Sequence, residues 1–169
     1  MKNIDLELKF FDTFQNTCLK YDLEVLRSHL YAIDFGNQFV RFIIANSDYD
    51  YITLIIYVDG VEYNSHLFFT MFEELIEQLK EKNFKLLTGD KYLYGLLYFY
   101  RTIVEYMCEN KLYLDLSWVK KYIFWSKIGD FVNNEGFEFD EEYIKIRRLY
   151  YIGDLTYRPL ISQYFEYHI

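Results

Sequence analysis

The chain has 169 residues, 52% hydrophobic and 22% aromatic, with one proline and a formal net charge of −8. That hydrophobic share excludes a disordered chain, and the acidic balance argues against direct nucleic-acid binding through phosphates. The length suits one domain, 1–169, with a helix and antiparallel sheet over 1–68 and a helical part packed on it over 69–169.

In chain order, residues 4–20 place Ile4, Leu8, Phe10, Phe11, Phe14 and Cys18 near one side at helical spacing, which predicts an amphipathic helix. An extended run follows from Leu23 to about Ile33, and Asp34-Phe35-Gly36-Asn37 reads as a turn. Phe39–Ile44 is rich in β-branched and aromatic residues and predicts a strand, closed by a turn at Asn46-Ser47-Asp48. Tyr51–Val58 is the clearest strand. Asp59-Gly60 between it and Val61–Asn64 predicts a type I′ hairpin. Residues 23–68 therefore read as a three- to four-stranded antiparallel meander, its turns too short for parallel crossovers.

At Thr70 the period changes. Thr70-Met71-Phe72-Glu73 fits a capping box, and Phe72, Leu75, Ile76 and Leu79 form the apolar stripe of a helix behind it. A longer helix is expected over 90–109, with Asp90 as its cap. Ser117 is the expected cap of a helix over 117–132 with Val119, Tyr122, Ile123, Trp125 and Ile128 inward. Residues 133–142 read as an acidic loop, and 140–151 as a last short helix ending near Gly153. The fold class is α+β: an N-terminal helix, the meander, then three to four C-terminal helices.

Chemistry-bearing patterns are sparse. His29, His66 and His168 stand at no ligand spacing from one another or from Cys18 and Cys108, so no metal site is expected. The serines lack a nucleophile elbow and the glycines are isolated, so no catalytic residue and no cofactor is assigned. The two cysteines read as buried free thiols. The first residues, MKNIDLELKFFDTF, are acidic and lack a long apolar run, so no signal peptide is expected. Residues 92–107 are interrupted by Arg101 and Glu105, so no membrane span is expected either, and the cytoplasm is the expected location.

The aromatic surplus points instead to contact with a protein partner, because tyrosine is stiff, amphipathic and favoured where one protein grips another. Three groups of partner-binding candidates follow. Asp48, Tyr49, Asp50 and Tyr51 form either an acidic aromatic loop for a basic cleft or an ordinary strand end with solvated acids. Tyr94, Tyr98 and Arg101 share a helix side, which either meets a partner or covers an adjoining helix. Glu135, Glu138, Asp140 and Glu141, around Phe137 and Phe139, form either a mimic of nucleic-acid phosphates and bases or a helix N-terminus favouring anions.

Within residues 26–56, Ser28, Phe35, Gly36, Asn37, Val40 and Phe42 form a pattern "S…FGN..V.F". It resembles that of the immunity-type proteins encoded beside bacterial polymorphic toxins. In that family a charged strand follows, where this chain has Ile52-Thr53-Leu54-Ile55. The resemblance implies an α+β inhibitor that binds and blocks a toxin, with no catalytic residues to transfer. The expectation is therefore a non-catalytic inhibitor of a macromolecule, foremost an immunity protein. A phage-encoded inhibitor of a host defence complex, of the anti-CRISPR sort, is the second reading, and a small-substrate enzyme the third. A homodimer stays open.

Overall fold

The computed structural model describes residues 3–29, 31–48, 51–72 and 92–132. Outside these spans it describes residues 74, 75, 77, 78, 141, 142, 145, 148, 149, 156, 159, 160 and 163. The chain divides into two compact units, Met1–Tyr122 and Ile123–Ile169.

The first unit is α+β. Helix α1 (Asn3–Tyr21) leads into five strands: β1 (Glu24–His29), β2 (Ala32–Gly36), β3 (Val40–Asp48), β4 (Tyr51–Val58) and β5 (Val61–Asn64). They form one antiparallel sheet in the order β1-β2-β3-β4-β5, a plain meander. The meander has one strand more than its predicted upper bound. The run from Leu23 to Ile33 is two strands, reversing where His29 pairs with Ala32. Asp34 and Phe35 belong to β2 and not to a turn. Asn46, Ser47 and Asp48 extend β3, because Ala45 and Asn46 find partners in Thr53 and Ile52. The Asp59-Gly60 hairpin is as expected, with φ of 52° and 75°, both positive as a type I′ turn requires.

Period-2 alternation fixes which side of the sheet is dry. Ile33 and Phe35 of β2, Val40, Phe42 and Ile44 of β3, and Ile52, Leu54, Ile56 and Val58 of β4 are all buried. Against them lies α1, through a run of rings. Phe10 stacks on Phe14 at 4.8 Å, both meet Phe35 at 4.9 and 5.3 Å, and Phe35 stacks on Phe42 at 5.4 Å. Burying rings of this size is the largest favourable contribution available to so small a layer.

Helix α2 (His66–Met71) is short. Phe72 is extended, with φ −116° and ψ 99°, so Thr70 lies inside α2 and does not cap the next helix, of which residues 74, 75, 77 and 78 are described as helical and Leu75 is buried. Helix α3 (Tyr92–Glu109) buries Leu93, Leu97, Tyr100, Ile103, Val104 and Met107. The Tyr100 hydroxyl donates to the Ile52 carbonyl at 2.7 Å, tying α3 to β4. The expected cap Asp90 lies outside the described residues.

Both long helices end alike. Leu23 N–H donates to Cys18 C=O and Leu112 N–H to Met107 C=O, with Asp22 (φ 54°) and Lys111 (φ 49°) in the left-handed position. These are Schellman closures built without glycine. After α3, Asp115 and not Ser117 is the cap. Its carboxylate accepts from Ser117 N–H at the start of a 3₁₀ turn, Leu116–Trp118, followed by α4 (Val119–Val132). Trp118 packs edge-on to Tyr63, and its indole N–H donates to Leu112 C=O at 2.8 Å.

In the second unit Trp125 is buried edge-on to an exposed Phe124, Ile123 is exposed, and residues 141, 142, 145, 148 and 149 are helical. The expected inward Ile123 therefore points out. Of the expected acidic loop 133–142, residues 141 and 142 are helical and 133–140 lie outside the described residues, as do Gly153 and most of the Tyr-rich tail. Cys108 is buried, Cys18 half-buried, and both are free thiols.

Candidate protein-binding surface

Three pairs of contacts hold α1 and α3 side by side. The Lys9 ammonium lies 5.4 Å from the Tyr94 ring centre. An Arg101 Nη donates to Thr13 C=O at 3.1 Å, and Thr17 Oγ1 donates to Glu105 Oε1 at 2.7 Å. Residue numbers rise together along this seam, so the two helices run parallel. The Arg101 guanidinium also sits 4.6 Å over the Tyr98 ring and 3.7 Å from Glu105. The structure thus brings together Tyr94, Tyr98 and Arg101, and sets them along α1. Tyr94 remains exposed, and its phenol is pushed up by desolvation and then by Asp12. The same packing buries Cys108, whose thiol is pushed up to about 12 by desolvation.

Away from the sheet, α1 leaves three large apolar side chains in solvent among polar ones. Leu6, Phe10, Phe14 and Thr17 are buried, but Leu8 is 64%, Phe11 42% and Leu19 77% exposed. The sequence pattern had placed Leu8 and Phe11 inward with Phe10 and Phe14. The register of the ring cluster instead turns them out, because Phe10 and Phe14, one turn apart, both point at Phe35. Leu8 and Leu19 lie eleven residues apart, about three turns, and so share the side opposite Phe10. The signal was present in the sequence as apolar residues at too many angles for one stripe. Gln15 and Asp12 stand between them, and Asp12 reaches Tyr94. Three large apolar side chains thus stand exposed among polar ones on this side of α1.

The opposite side of the sheet carries an ordered row of polar side chains across strands, beside Ile43 and Ile55. The register aligns Gly36, Arg41, Tyr57 and Glu62. Arg41 Nε donates to both Asp34 carboxylate oxygens, at 2.7 and 2.9 Å, and the guanidinium lies 5.5 Å from the Tyr57 ring centre. Tyr57 O–H donates to Glu62 Oε1 at 3.1 Å, and this bond raises the phenol's pKa. A forked ion pair on a buried carboxylate fixes geometry more than it adds stability.

Of the other candidates, Asp48 and Tyr51 pair across the β3–β4 hairpin beside a bulge. Their side chains, and Tyr49 and Asp50 altogether, lie outside the described residues, as do Glu135, Glu138 and Asp140. Glu141 is helical and exposed. Among the described residues no group of three or more His, Cys, Asp or Glu is placed to hold a metal ion, and no helix is long and apolar enough to cross a membrane.

No family model matches this chain, and no curated protein and no solved structure matches it. The residues behind the immunity-type resemblance have structural work to do at the β2–β3 corner. Phe35, Val40 and Phe42 are core. A Cβ on Gly36 would lie 2.2 Å from Val40 O, a clash only glycine avoids. Asn37 Oδ1 accepts from the N–H groups of Phe39 and Val40 at 2.8 and 3.1 Å, while Asn37 N–H donates to Val40 C=O at 2.9 Å. That side-chain cap closes the corner.

Proposed function

We propose that this chain is a cytoplasmic, non-catalytic inhibitor that binds and occludes a macromolecular target, and that the target is a bacterial toxin to which it gives immunity. The observation that supports the reading is the three large apolar side chains that α1 leaves exposed among polar ones, Leu8, Phe11 and Leu19, on the helix that also meets the exposed Tyr94 of α3 through Lys9. Among the described residues Leu8 and Leu19 stay outside the ring cluster, Phe11 touches it only edge-on at Phe10, and Tyr94 meets α1 through Lys9. Leu and aromatic anchors desolvated together slow dissociation, and a net charge of −8 speeds encounter with a basic target. The corner residues Phe35, Gly36 and Asn37 support the choice of an immunity protein only as far as a shared hairpin does.

The test is inhibition by the purified chain. A partner co-purified from the native host is assayed with increasing amounts of it. Stoichiometric loss of the partner's activity is expected. The double substitution Leu8→Asp, Leu19→Asp should raise the concentration needed by roughly a hundredfold, with an unchanged circular dichroism spectrum. A partner fully active at saturating chain would overturn the inhibitory reading.

A further inference from the structure

At the end of the sheet where α1 closes, the chain forms an open depression of about 530 Å³ that the partner reading does not use. It lies between two corners. One is the α1–β1 turn and start of β1, with Asp22, Glu24 and Leu26. The other is the β2–β3 corner, with Asn37, Gln38 and Phe39.

Its chemistry is specific. Both charged groups in the lining are carboxylates, and neither Asp22 nor Glu24 makes a side-chain hydrogen bond or ion pair among the described residues. Phe39 is 47% exposed and stacks on Tyr113 at 5.5 Å and 11°, so its ring plane is fixed from behind. The Asn37 cap holds Phe39 N–H, and the Schellman closure holds Asp22 with φ 54°. Two hydrogen-bonded corners therefore set two carboxylates and a flat ring around the same depression. Leu26, also exposed, supplies an apolar wall.

We infer that this depression is a receptor for a guanidinium group, the side chain of an arginine presented by another protein. A planar cation can lay its face on the Phe39 ring while its N–H groups donate to the Asp22 and Glu24 carboxylates. An ammonium would meet the charge but not the plane, and the Leu26 wall suits the three methylenes of an arginine stem. The assignment depends on the inhibitor reading only for which protein presents the arginine; the receptor can be tested without that protein.

The experiment is an amide NMR titration of the full chain with N-acetyl-arginine amide, and with the citrulline analogue as its uncharged isostere. Arginine should give saturable shifts confined to residues 22–26 and 36–39 below about 50 mM, and citrulline should give none. Asp22→Asn with Glu24→Gln keeps the left-handed backbone, which asparagine tolerates. It should weaken arginine binding by at least about fivefold. Equal shifts with citrulline, an unaltered affinity in the double variant, or shifts spread over the whole surface would overturn the assignment. If arginine binds and no partner is inhibited, only the inhibitor reading fails. If a partner is inhibited and arginine leaves these residues unmoved, only the receptor fails.

Discussion

On α1, Leu6, Phe10 and Phe14 press into the sheet, whereas Leu8, Phe11 and Leu19, of the same residue types and on the same helix, stand in solvent. The difference is one of direction and not of composition. Phe35 and Phe42 on neighbouring strands make a single receiving surface, and a helix can offer it only one side. The inner side contributes to stability. The outer side contributes little to folding and exposes apolar area that a monomer gains nothing from showing.

The sharpest way to break this contrast is at the inner side. Phe14→Ala should lower the unfolding free energy by about 3–5 kcal/mol, since it removes a fully buried ring from a stacked cluster that cannot easily collapse. Chemical denaturation measures it. A loss below about 1 kcal/mol would mean that α1 is held mainly by its seam with α3 and not by the ring cluster.

The packed interior has a titration signature of its own. Cys108 is raised from 9 to about 12 by desolvation, and Tyr63 and Tyr106 are raised from 10, each by desolvation first. In each case the folded protein holds its proton more tightly than the unfolded chain. The associated stability is complete below pH 9 and is lost as pH climbs toward 12. The melting temperature should therefore be flat on approaching pH 9 and fall above it. In Cys108→Ala the first part of that fall, below the phenol range, should shrink. A melting temperature that rises between pH 9 and 10 would contradict the burial of these groups.

Much of this architecture was legible in the sequence. The extents of α1 and α3, the strand Tyr51–Val58 and the Asp59-Gly60 turn follow from patterns whose physics is local. Other features are set by distant partners. The reversal between β1 and β2 uses His29-Leu30-Tyr31-Ala32, with no Gly, Pro, Asn or Asp to announce it. Asn46-Ser47-Asp48 has turn composition but is drawn into β3 by its pairing with β4. Thr70 has a local capping signal, yet it lies inside the short helix α2, and the extended Phe72 separates it from the helical residues 74, 75, 77 and 78. The same division holds for the candidate surface. Tyr94, Tyr98 and Arg101 share one helix side by spacing alone, and the structure shows what spacing could not, that α1 runs along them. Leu8 and Phe11 were assigned inward because two apolar sides on one helix cannot be ranked without knowing which one the sheet receives. Asp22 and Phe39, seventeen residues apart, meet only because the β1–β2 hairpin folds back.

The smallest expected effect tests the outer side most directly. Leu19→Ser replaces a side chain that is 77% exposed, and its unfolding free energy should stay within about 0.5 kcal/mol of the native chain. A near-zero value alongside a large one for Phe14→Ala would show that folding uses the inner apolar residues of the helix and leaves Leu19 over. A loss of about 2 kcal/mol or more would mean that Leu19 is covered in the folded chain. The surface proposed for the partner would then already be occupied from within, and the partner would have to be sought on the polar side of the sheet, around Arg41 and Tyr57.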